Sequence, residues 1–170
     1  MPDVPDPLNL PLPGREGEEV ELLETRPANP KRLTSRSRER VRAIDVAFEA
    51  DARERDLLDV LAERRQRTAA QTALPERAVH LVETLAAHAE EIDEQLSTHS
   101  RDWPLHRMPA VDRAILRTGA AEILHDAPAD GIGAVIGEYA TIARELSTED
   151  SPRFVNGLLQ RLGELRDILG

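Results

Sequence analysis

At 170 residues the chain has the length of one domain with room for a tail, and its 2% aromatic content beside abundant Ala, Leu, Arg and Glu favours helices over sheets. With no cysteine, it can hold no disulfide framework, no thiolate zinc site and no cysteine nucleophile. A net charge of −10 taken alone argues against nucleic acid, and no apolar run approaches the roughly 18 residues of a membrane span.

Residues 1–30 hold seven of the twelve prolines and seven acids against two arginines, a balance of −5. With almost no patterned apolar residues, this stretch cannot bury enough surface to offset its ordering entropy, so a disordered acidic tail is expected over 1–33. It also lacks the apolar region of a signal peptide, which suits a cytoplasmic protein. Helical periodicity starts near Leu33, and a helical domain is expected over 34–170.

The first helix is predicted from about Ser35 to Asp51, capped by Thr34 or Ser35, with Val41, Ile44, Ala47 and Phe48 as its apolar stripe. A second spans roughly 56–67. A third starts at Pro75 and carries one long face from Val79 to Leu96. Asp102-Trp103-Pro104 opens a short connection. Further helices begin near Pro109, near Ile132 and at Ser151-Pro152, the last reading as an N-cap followed by a first-turn proline. Six or seven helices with short connections make an all-α domain.

Signs of chemistry are weak. Glu122 and His125 have the Glu-x-x-His spacing of di-iron bundles, but no second copy completes a site, so no metal and no cofactor are expected. Gly131, Gly133 and Gly137 follow a loop rather than a strand, which does not make a phosphate cradle; Gly133 and Gly137, like Asn156-Gly157, are expected at helix-packing contacts. There is no Gly-x-Ser-x-Gly nucleophile elbow, and no enzyme is expected. Trp103 reads as a plug between helices or part of a partner surface.

The charge distribution is more informative than its sum. Residues 31–42 carry Lys31, Arg32, Arg36, Arg38, Arg40 and Arg42 against Glu39, a local +5 on an otherwise acidic chain. Guanidinium forks match phosphate geometry and stack on bases, and the helix N-terminus adds partial positive charge. The other reading is a solvated stretch in an arginine-rich composition, since 21 of the 22 basic residues are arginine.

Three consecutive blocks carry a resemblance: Val111-Asp-Arg-Ala-Ile-Leu-Arg117, Ala134-Val-Ile-Gly-Glu-Tyr-Ala-Thr-Ile-Ala-Arg-Glu-Leu146, and Asp150-Ser-Pro-Arg-Phe-Val-Asn-Gly-Leu-Leu159. Together with the arginine cluster running into Ala43-Ile-Asp-Val-Ala-Phe48, they resemble the NusB family of transcription antitermination factors over about residues 35–165. Gly137 stands where the family usually has Asn, Tyr139 where it has Ala, and Arg144 where Lys is common. Ser37 breaks the arginine run, and Phe48 lacks the usual tyrosine hydroxyl. The resemblance implies two small antiparallel three-helix bundles packed together. It also implies an RNA-binding factor of ribosomal RNA transcription, which binds boxA RNA together with ribosomal protein NusE and joins the RNA polymerase elongation complex. A monomer and a homodimer both remain open. By position, the RNA side would comprise Arg36, Arg38, Arg40, Arg153 and Phe154, with Asp150 tuning affinity by repelling phosphate. Phe48, Asp112 and Arg113 would face NusE. Phe154 could equally be a core residue from its helical spacing. The competing readings are a pure protein-interaction module and the detached RNA-binding domain of a ribosomal RNA cytosine methyltransferase.

Overall fold

The computed structural model describes residues 33–67 and 73–169, and among them are seven α-helices and no strand. The tail expected over 1–33 lies outside the described residues except for Leu33, which is buried in the core.

Helix α1 (Ser35–Ala52) is capped by the Thr34 hydroxyl, which accepts from the Ser37 amide. It ends where Glu54 enters the left-handed region at φ 54°, while the Arg55 amide donates to the Ala50 carbonyl and the Glu54 amide to Asp51. Helices α2 (Leu57–Arg67) and α3 (Glu76–Ala87) pack on α1 around a small core of Val46, Val60, Leu61, Val79, Leu81 and Val82. This is the first three-helix bundle.

The single long helix expected from Pro75 to Leu96 is instead two, α3 and α4 (Ala89–His99), interrupted at His88. The two halves serve different cores. Val79, Leu81 and Val82 belong to the small bundle, whereas Leu85, Ile92 and Leu96 belong to the larger one. A straight helix would not turn one stripe toward both.

After a 3-10 turn at Leu105–Arg107, α5 (Ala110–His125), α6 (Ile132–Leu146) and α7 (Ser151–Leu169) form the second bundle, with α4 alongside α5 and α7. Its core includes Ile115, Ile123, Tyr139, Ile142, Leu158 and Leu162, all essentially without solvent exposure. Helix α5 is the axis of the molecule, and its contacts set the direction of its neighbours. Arg40 and Asp51 of α1 meet Glu122 and Arg113 of α5, so α1 runs antiparallel to it. Ser151 and Arg166 of α7 meet Asp112 and the Ile123 carbonyl, so α7 runs parallel to it.

The close approaches expected at Gly133, Gly137 and Gly157 are not there, for a Cβ at any of these would meet nothing within 4 Å. They occur at Gly119, where a Cβ would lie 3.0 Å from Leu159 and 3.3 Å from Tyr139, and at Gly163, 3.1 Å from Ile132.

Candidate nucleic-acid interface

The arginine run enters α1 on the far side of a network that joins the two bundles. Arg36 and Arg38 are exposed in the first turn, and Arg38 Nη1 donates to the Leu33 carbonyl at 2.8 Å, holding the backbone before the cap against the helix. The turn is tied down from α6: the Thr34 hydroxyl donates to Glu138 Oε1 at 2.9 Å, and the buried Ser37 hydroxyl donates to the same oxygen. Ser37 thus occupies the position between two exposed arginines because its small side chain points inward. Two guanidinium groups beside a helix N-terminus can bind phosphate oxygens and stack on bases.

Arg40 requires a correction. It is 5% exposed, and its Nε and Nη2 donate bidentately to Glu122, each at 2.8 Å. Its guanidinium lies 5.6 Å from the Tyr139 ring centre. Arg77 of α3 and the Tyr139 hydroxyl also donate to Glu122, at 2.8 and 2.7 Å. Burial alone would lower the pKa of Arg40, but the hydrogen bonds and charge of Glu122 outweigh it and the net direction is upward. Burial alone would raise Glu122, yet Arg40, Tyr139 and Arg77 hold it below its ordinary value. Arg40 is therefore a permanent cation used inside the fold, where it joins α1 to α5. Arg42, one turn from Arg38, is half-buried.

The second group of expected RNA residues sits at the start of α7. Asp150 and Arg153 are exposed, and Phe154 is partly buried against Trp103, edge to face with ring centres 4.9 Å apart. Trp103 and Phe154 form one wall of a cleft of about 790 Å³, which Arg101, Arg153 and Arg161 also line. This is the charge and aromatic combination that binds single-stranded bases. The α1 arginines lie toward the Glu122 end of α5 and the α7 cleft toward the Asp112 end, ten residues or about 15 Å apart along the helix. They make two stations rather than one patch.

The residues expected to face a protein partner are also placed differently. Phe48 is 8% exposed and belongs to the main core. Asp112 has no exposure: it accepts from the Ser151 hydroxyl at 2.9 Å and from Ser147, fastening α5 to the start of α7. Ser151 thus spends its hydroxyl on α5. Arg113 donates to Asp51 at 2.8 Å and to the Leu105 and Met108 carbonyls, so it ties α1 to the 3-10 turn. What remains on that side is a cleft of about 570 Å³ lined by Asp51, Asp93, Arg101, His106 and Arg117, in which Arg117 pairs bidentately with Asp93 at 2.8 and 2.9 Å.

The NusB family profile matches residues 37–164. The chain belongs to the NusB family. Among NusB relatives, the transcription antitermination protein of Kineococcus radiotolerans is 49% identical over 137 residues, covering 81% of this chain and 98% of its own length. That of Streptomyces coelicolor is 45% identical over 141 residues, with the same coverage. Among solved structures, NusB of T. maritima is similar with a TM-score of 0.63 at 30% identity, covering 78% of this chain and 92% of its own. A complex of the antitermination factors NusB and NusE with double-stranded RNA is similar with a TM-score of 0.60 at 25% identity, covering 78% and 99%. Within this NusB fold, sequence reasoning missed Glu122 as the partner of Arg40, Arg77 as the second arginine on that carboxylate, and Arg101 and Arg161 in the α7 cleft. The one available signal was Tyr139, the sole tyrosine, placed on the buried face of α6 where its hydroxyl needs a partner.

Proposed function

We propose that this chain is a transcription antitermination factor that binds boxA RNA of ribosomal RNA leaders together with ribosomal protein NusE, and so joins the RNA polymerase elongation complex. It acts without catalysing a reaction, in the cytoplasm where transcription proceeds. The observation that carries this reading is the family match over residues 37–164. The two stations support it, Arg36 and Arg38 at the head of α1, and Arg153, Phe154 and Trp103 at the head of α7. Local positive charge lets an RNA strand settle on a chain of net charge −10. Asp150, exposed beside Arg153, places a negative charge next to the strand and limits affinity there.

The likeness to a solved complex of the antitermination factors NusB and NusE with double-stranded RNA favours the adaptor over a protein-only module. Curated relatives matched over 98% of their length are named antitermination proteins, which favours it over a methyltransferase domain. No described helix is long and apolar enough to cross a membrane. The test is filter binding of the full chain to boxA RNA, with and without NusE. Binding that strengthens with NusE and discriminates against a scrambled boxA is expected, and equal retention of both RNAs in the presence of NusE would overturn the reading.

A further inference from the structure

The α3–α4 break gathers three donor groups that neither the family match nor the RNA reading uses. His88 occupies the break, Glu91 lies in the first turn of α4, and His125 is the last residue of α5. His88 Nδ1 is 3.4 Å and His125 Nε2 3.0 Å from the same Glu91 oxygen, and the three donor atoms lie within 4.8 Å of one another. We propose that His88, Glu91 and His125 form a binding site for a zinc ion, with water completing the coordination.

Three observations support this. First, the donor set fits the ion. Two imidazoles and one carboxylate suit zinc, and bonds of about 2.0–2.1 Å in tetrahedral array place neighbouring ligand atoms about 3.3 Å apart. The two measured separations from Glu91 bracket that spacing. Second, the imidazoles stack with centres 3.6 Å apart and planes 6° from parallel. The stack brings both imidazoles to the same Glu91 carboxylate. Third, the helix breaks at His88, where its apolar stripe passes from one core to the other. The break leaves His88 stacked over His125, both within reach of Glu91.

Binding turns the stacked rings so that each lone pair points at the ion, and each nitrogen that was protonated toward Glu91 releases its proton to solvent. The ion then clamps the α3–α4 junction to the end of α5. The Glu122-x-x-His125 spacing contributes only its histidine, because Glu122 is committed to Arg40.

The experiment is calorimetric titration of the untagged full chain with zinc chloride, beside thermal melts with zinc and with a chelator. His88→Gln and His125→Gln are compared with His80→Gln, whose partner is Asp126 on the far side of that helix end. The native chain and His80→Gln should bind one equivalent and melt higher with zinc. His88→Gln and His125→Gln should bind more than roughly a hundredfold more weakly, beyond the loss expected for a mere supporting partner. Native-like melts of these two variants in chelator separate ligand loss from misfolding. No zinc uptake by the native chain, or uptake unchanged in both variants, would overturn the proposal.

Discussion

Arginines two residues apart on one helix have opposite fates here, and the difference is where the helix faces. Arg36 and Arg38 point to solvent at the opening turn of α1, whereas Arg40, a little further along, meets Glu122 in the interior. Each exposed arginine that neutralises a phosphate on a single strand contributes about 0.7 to the slope of log affinity against log salt. Arg36→Ala with Arg38→Ala should therefore weaken RNA binding and flatten that slope by roughly 1.4; filter binding across salt concentrations checks it, and an unchanged slope would remove this turn from the RNA path. Arg40→Ala should instead leave Glu122 buried without its bidentate partner and destabilise the fold by about 3–5 kcal/mol, read from urea unfolding. Asp150→Asn removes an exposed charge beside Arg153 and should tighten RNA binding without moving the urea midpoint.

At the level of elements, most helix boundaries were legible because capping and periodicity agree with the packing. Thr34, Pro75 and Pro109 stand where α1, α3 and α5 begin. Two features were not legible, and both depend on distant residues. The break at His88 follows from one apolar stripe being divided between two cores, a demand that no local breaker announces. The burial of Arg40 depends on Glu122, 82 residues away, so an arginine run read locally overstates the exposed charge. The same local blindness affected the glycines. Gly137 lies exposed within α6 with nothing near its missing Cβ, so Gly137→Ala should stabilise the protein by about 0.5–1 kcal/mol through helix propensity and unfolded-state entropy. Gly119→Ala should destabilise it, since the new methyl meets Leu159 and Tyr139 at 3.0 and 3.3 Å. Thermal melts of the pair distinguish the two kinds of glycine. Stabilisation by Gly119→Ala would mean that Leu159 and Tyr139 yield to the added methyl.

At the scale of the whole molecule, apolar residues of α1 such as Ile44 and Phe48 enter the larger core, and charged groups add a second bridge between the bundles. Arg40 of α1 and Arg77 of α3 converge on Glu122 of α5, and Arg77 and His80 both reach Asp126, each at 2.8 Å. This makes the union of the bundles acid-sensitive. Burial raises Glu122, but Arg40 and Tyr139 hold it below its ordinary value; Asp126, also raised by burial, is held down by His80 and Arg77. A carboxylate whose pKa is depressed in the folded state stabilises that state above its unfolded pKa, about 4, and loses the contribution as pH falls through the folded value. Stability should therefore be flat from neutral pH to about pH 5 and decline below it, as protons bind the unfolded chain more tightly. Glu122→Gln should be less stable at neutral pH, since Arg40 loses its counter-charge, and should show a shallower decline on acidification because one titrating group is gone. Urea midpoints of both proteins between pH 3 and pH 7 measure this. Equal acid slopes would mean that the bundles separate through groups other than Glu122, and that its hydrogen bonds to Arg40, Arg77 and Tyr139 act without regard to its charge.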